Sequence, residues 1–229
     1  MDAPHPDPEF PTEAPVFPLP DLVFFPQTVL PLHIFEQRYR EMTAQAIATD
    51  GYIAMTLLRS EDDEGGIGER PYHPVGCLGR IASVSRTEDG RYYLKLVGLR
   101  KVTLGEVVNE TPFVRARIQP IAETIPEDRD DQSHEDLAKL LGTCGVLFQE
   151  LSDSAFPLVS IKEGLPYETV VNSICFHLGL PSAMKQSLLE ENDIRSRCLM
   201  LTRFVEEHLR DILFERGEAE GSGETDLVN

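Results

Sequence analysis

The sequence predicts an α+β protein in two parts: a small, curled antiparallel sheet or barrel with one embedded helix, then a small helical bundle. Three observations carry this. Short runs rich in Val, Ile, Leu and Tyr fill the first half, broken by turn residues; an acidic stretch near residue 130 interrupts them; beyond it the apolar residues recur at helical spacing. Chain length permits one large domain or two small ones, and this change of period favours two.

Candidate strands in the first half are Tyr52–Leu58, Val75–Arg86, Tyr92–Val97, Val102–Val108 and Phe113–Ile121. Between the second and third, Glu88-Asp89-Gly90 supplies a hairpin turn in which glycine tolerates positive φ. The embedded helix follows from Phe35, Tyr39, Met42 and Ala46, which share one helical face. Short strands joined by hairpins imply a sheet that curls on itself.

Residues 123 to 136 carry seven acids against Arg129, with Pro126 among them, and read as a linker over 123–133. The bundle subdomain then runs over 134–216. Its first helix displays Leu137, Leu140, Leu141, Cys144, Leu147, Phe148 and Leu151 as one stripe, with Ser133 and Asp136 spaced as a capping box. A second helix runs from Tyr167 to Leu178 and stops at Gly179 before Pro181; a short third covers Ser182 to Glu191. The last, Asp193 to Glu215, turns Ile194, Cys198, Leu201, Val205, Leu209 and Ile212 inward. Four amphipathic helices with short connections form a bundle.

The β subdomain is expected over 14–122. Nine of the 17 prolines fall in residues 1 to 31, and the first 13 residues alternate them with acids and small residues, so a mobile tail is expected over 1–13. A disordered acidic tail is expected over 217–229.

A formal charge of -18 disfavours phosphate backbones and anionic lipid surfaces, which bind through Lys and Arg. Nucleic acid and membrane are therefore not expected partners. Arg91, Arg100, Lys101, Arg115 and Arg117 are the residues from which a basic face for RNA would have to be built. Cys77, Cys144, Cys175 and Cys198 lie too far apart for a CxxC metal pair or a compact disulfide framework, which suits a reducing cytoplasm. The opening MDAPHPDPEF lacks the basic start and apolar run of a secretory signal, so a soluble cytoplasmic protein is expected.

No catalytic constellation emerges. His33 and Glu36 are spaced as possible metal ligands, but Glu36 more simply favours a helix N-terminus and pairs with Arg40. Cys175, His177 and His208 suggest a nucleophile and base, yet residues two apart on a helix diverge. The acids Glu61, Asp62, Asp63 and Glu64 before Gly65 and Gly66 lack calcium-loop spacing. No metal and no cofactor are expected.

The segment FPLPDLVFFPQTVLPLHIFEQRYREM, residues 17 to 42, resembles the signature opening of the Lon protease amino-terminal, substrate-binding domain family. Further matches follow in order: YIAMTLL at 52–58, VGCLGRI at 75–81, DGRYYLKLVGLRKVTL at 89–104 and PFVRARI at 112–118, with LPSAMKQSLLE at 180–190 similar in layout. The resemblance implies a PUA-like pseudo-barrel followed by a helical bundle, with Pro18, Pro26, Pro31, Phe35, Glu36, Arg38 and Tyr39 as fold-signature residues. It departs at GLRKVTL, residues 98 to 104, where the family more often carries an Arg-rich, aromatic stretch.

No glycine is followed directly by lysine, so the GxxxxGK[ST] nucleotide loop of full-length Lon proteases is absent; a stand-alone member without ATPase or peptidase parts is expected. Paired CxxC motifs, which cereblon-like relatives of this barrel need for a zinc domain, are absent too.

The function this implies is non-enzymatic binding of exposed apolar or extended segments of other proteins, at a cleft between the two parts or at a sheet edge. Adaptor, holdase-like factor and regulator of proteolysis remain open roles, and the oligomeric state is open as well. Phe24, Phe25, Leu30 and Leu32 are the candidate peptide-binding residues: adjacent rings in an extended segment point to opposite faces, so either one is free beside Pro20 and Pro26 or curling of the sheet buries both. The alternative class is a hydrolase with an unrecognised site in the same cleft.

Overall fold

The structure, a computed structural model, describes residues 10–59, 70–127, 130–151 and 164–222. The acidic run Glu61–Glu64, residues 1–9 of the expected leading tail and 223–229 of the trailing one lie outside the described residues.

Among the described residues six strands and five helices follow one another as β1 (Glu13–Leu19), β2 (Val29–Ile34), α1 (Gln37–Ala48), β3 (Tyr52–Leu57), β4 (Val75–Arg86), β5 (Tyr92–Asn109), β6 (Arg115–Pro120), α2 (Asp131–Leu151), α3 (Tyr167–His177), α4 (Ser182–Glu190) and α5 (Ile194–Ser222). They divide into two compact units, one of residues 1–122 with 178–190, the other of 123–177 with 191–229.

The first unit is a single sheet ordered β2-β5-β4-β3-β1-β6 that closes on itself because β5 also pairs with β6. The expected antiparallel barrel is there with one parallel pair, β1 with β3, whose connection runs through β2 and α1 as a parallel crossover must. The two strands expected over 92–97 and 102–108 are one 18-residue strand, β5. Its first part pairs with β2 and its last part with β6, while β4 lies along Tyr92–Thr103; register shifts at Leu78/Gly79 and Leu104/Val107 let it bend.

Inside, Val16, Ala54, Leu78, Val102, Leu104, Ala116 and Ile118 form a contiguous core. Phe10 packs against it and Thr12 accepts a hydrogen bond from the Ile118 N–H, so the chain is engaged four residues ahead of the expected edge at residue 14. Helix α1 buries Tyr39, Met42 and Ala46 as its spacing requires. Phe35 departs from that stripe: it precedes the helix and is 60% exposed.

Helix α4 belongs to the β unit, which corrects the four-helix bundle. Leu188 and Leu189 are buried and Gln186 donates to the Val75 carbonyl at the start of β4 at 3.1 Å. The second unit is built on α2, α3 and α5, with Leu140, Cys144, Leu147, Val171, Ile174, Ile194, Cys198, Leu201 and Val205 buried. Asp130, rather than the expected Ser133–Asp136 box, caps α2: its carboxylate accepts from the Gln132 N–H at 3.2 Å and the Ser133 hydroxyl at 2.5 Å. Those bonds, the Ser133 hydroxyl first, hold the Asp130 carboxyl below its usual range. The backbone of α5 stays helical to Ser222, past the expected edge of order at Arg216.

Candidate functional site

Among the described residues strand β2 pairs with β5 alone and is the free edge of the sheet. The Gly98 N–H donates to the Thr28 carbonyl, and with that register the even-numbered residues of β2 turn their backbone groups toward β5. Val29, Pro31 and His33 therefore turn theirs outward. Pro31 can sit there because its missing N–H costs the ladder nothing.

Cross-strand partners share a face, so Leu30 with Leu96, Leu32 with Leu94 and Ile34 with Tyr92 line the interior. Val29 with Val97, Pro31 with Lys95 and His33 with Tyr93 line the outside. The His33 and Tyr93 rings stack at 4.4 Å with planes 9° apart, Phe35 lies 5.8 Å from His33, and Tyr93 is 53% exposed. A stacked ring pair with a third ring beside it, left in water, is unusual for a surface strand.

A pocket of about 440 Å³ is lined by Pro31–His33, Ser83–Ser85 and Tyr93–Lys95, three residues from each of β2, β4 and β5. A second, of about 390 Å³, shares His33 and Tyr93 and continues to Thr87, Glu88, Asp89 and Arg91 in the hairpin between β4 and β5. That hairpin is stiff. Gly90 takes φ +80° and its carbonyl accepts from Arg40 Nε at 2.8 Å, while Asp89 pairs with Arg91 at 2.9 Å. The Thr87 hydroxyl first, then the Arg91 N–H, keep the Asp89 carboxyl below its usual range. The site thus has an apolar end and a charged, held end.

The residues expected to bind peptide fare differently. Phe24 and Phe25 are 2% and 0% exposed and Leu30 is 5% exposed, so they are core and form no surface patch. Both phenylalanines lie in the connection between β1 and β2, and the Phe24 ring sits against Gly79 of β4. Leu32 is partly exposed and lines the larger pocket. Among the signature residues Tyr39 and Pro26 are buried, Pro18 is partly so, and Pro31 is exposed at the edge. Glu36 pairs with Arg38 at 3.1 Å instead of Arg40, which the hairpin engages.

Tyr93, Lys95 and Val84 went unnoticed in the sequence. The adjacent Tyr92 and Tyr93 were the available signal, because one of two neighbouring strand residues must face out.

The remaining candidates do not assemble. Cys175 is buried, whereas His177 is exposed and bonded to the Ser173 carbonyl at 2.8 Å, and His208 is exposed. Lys101 is buried; Arg115 pairs with Glu13 and Arg117 with Glu106, both at 3.5 Å. Among the described residues no three His, Cys, Asp or Glu gather to hold a metal, and no helix is long and apolar enough to cross a membrane.

All four cysteines are free and buried, and burial pushes the Cys144 thiol up to about 12, with Cys198 beside it adding to the rise. A thiol raised this way stays neutral in the folded chain after the unfolded chain ionises. Its stabilisation is complete below the ordinary value of 9.0 and is lost as pH climbs toward about 12. Urea midpoints should therefore fall across that window, and a thiol reagent at pH 7 should react only as fast as the protein unfolds. Instant labelling of the native protein would contradict the burial.

Comparison with known proteins places the fold. Residues 13–207 match the ATP-dependent protease La (LON) substrate-binding domain, and the chain belongs to that family. It is 24% identical over 208 residues to the Lon protease of Flavobacterium johnsoniae and 28% identical over 206 residues to that of Anaeromyxobacter dehalogenans. These alignments cover 89% and 86% of this chain but 25% and 23% of the relatives, so the chain spans about a quarter of their length. Among solved structures, the N-terminal domain of Mycobacterium avium complex Lon protease superposes with a TM-score of 0.65 at 19% identity, covering 86% of this chain and 99% of that one. A Lon N-terminal domain protein from Xanthomonas campestris does so with a TM-score of 0.56 at 21% identity, covering 83% and 96%.

Proposed function

We propose that this chain is a non-catalytic protein-binding module that captures exposed apolar or extended segments of other proteins on the outer β2–β5–β4 face. The observation that carries this is the exposed His33–Tyr93 stack, with Phe35 beside it, at a free sheet edge. Rigid aromatic surface of this kind gives large contact area at small entropic cost. Membership of a family of substrate-binding domains supports the same reading. Four free thiols suit work in a reducing cytoplasm, and a part in proteolysis or protein quality control, as adaptor or regulator, fits the relatives' names.

The test is fluorescence anisotropy with one labelled polypeptide, folded and unfolded, at low and high salt. Binding of the unfolded form alone, persisting in salt, is expected, and Tyr93→Ala should weaken it about tenfold as an aromatic anchor does. Equal affinity of Tyr93→Ala and the parent would move the binding surface elsewhere.

A further inference from the structure

We propose that the free edge of β2 takes its ligand as an added antiparallel strand, and that Lys95 selects a ligand with an acidic residue opposite Pro31. This rests on the binding function proposed above and names the chemistry it recognises.

Two observations lead here. Val29 and His33 each present an outward N–H and C=O, and Pro31 presents a carbonyl, so an extended chain finds five backbone partners at alternate positions. Lys95 stands next to Pro31 on the outer face, exposed, and among the described residues it forms no ion pair.

A ligand residue opposite Pro31 lies two strand spacings from Lys95, about 10 Å between Cα atoms. A lysine and a glutamate stem together bridge that gap, and the low ring of Pro31 between them leaves the path open. The residue two places earlier in the ligand falls opposite His33, beside the ring stack, and suits an aromatic. The recognised pattern is thus an aromatic, any residue, then an acid. On a chain of formal charge -18, an acid elsewhere in the ligand is repelled, so the preference is positional.

The probe is a fluorescein-labelled peptide, Thr-Val-Phe-Val-Glu-Val-Val-Thr, titrated into the full chain. N-methylation of its phenylalanine and glutamate amides, which face β2, should weaken binding more than tenfold, whereas N-methylation of the two valines flanking the glutamate should be tolerated. Lys95→Glu should weaken the parent peptide about fivefold and favour the version with lysine in place of glutamate. Circular dichroism of the variant confirms folding.

Equal binding of the two methylated peptides, or indifference of the charge pair to Lys95→Glu, overturns strand addition with acidic selection. If the peptide fails while unfolded polypeptide still binds in a Tyr93-dependent way, this inference falls and the binding function stands; if neither binds, both fall. A concentration-dependent dimer that excludes the peptide would assign the edge to a second copy and overturn it too.

Discussion

Arg197→Ala will cost about 3–5 kcal/mol in urea unfolding, a large part of the stability of an ordinary domain. The side chain is 0% exposed, and its guanidinium donates to Asn172 Oδ1 at 2.6 Å, to Glu123 Oε1 at 2.5 Å and to the Glu191 carbonyl at 2.5 Å. One planar fork thereby ties three separate segments together. The tie is reinforced by backbone: Thr124 N–H donates to the Asn192 carbonyl and Ile194 N–H to the Thr124 carbonyl, both at 2.9 Å. Removing the guanidinium takes one charge-assisted donor each from a mostly buried carboxylate, an amide and a carbonyl, and leaves a cavity as well.

Arg197→Lys should recover little, because an ammonium cannot make the same divergent bonds. Arg197→Met combined with Glu123→Leu should lose less than Arg197→Ala alone, since replacing both ions avoids the unpaired charge. A loss below about 1 kcal/mol for Arg197→Ala would mean that the cluster is cosmetic.

The same cluster marks where the sequence was hard to read. Residues 123–133 look like a linker because acids and a proline dominate them, yet Glu123 and Thr124 are held by the second unit. Composition records charge, but not the buried arginine 74 positions away that the charge answers. What composition and period do record came through: the stripe of α2, the helical face of Tyr39, Met42 and Ala46, and the extent of β4.

The binding surface was half legible. Leu32 and Pro31 lay in the noticed segment, but the rings that matter, His33 and Tyr93, meet only through the register of β2 on β5, which no local pattern specifies. Phe24 and Phe25 failed as surface residues for the complementary reason: alternation assumes a strand, and these two lie in the connection between β1 and β2, where both rings are buried.

Gly98→Ala will destabilise the β unit by about 1–3 kcal/mol and weaken binding at the β2 edge together. A Cβ at Gly98 would lie 2.2 Å from the Phe25 carbonyl oxygen and 3.2 Å from Pro26 Cα, both backbone atoms that no rotamer change can move. The Phe25–Thr28 turn is pinned over this glycine by Gln27 N–H to the Gly98 carbonyl and by Gly98 N–H to the Thr28 carbonyl, both at 2.9 Å. Gln27 itself takes φ +58°, so the turn has little freedom to yield. Because the turn leads directly into Val29, lifting it shifts the strand that carries His33 and the outward backbone groups. Gly142→Ala, inside α2 with nothing within 4 Å of its Cβ, is the control and should raise stability by up to about 1 kcal/mol. A Gly98→Ala protein with parental urea midpoint and parental affinity would show that the turn and edge move independently, and the site would then owe its shape to β5 alone.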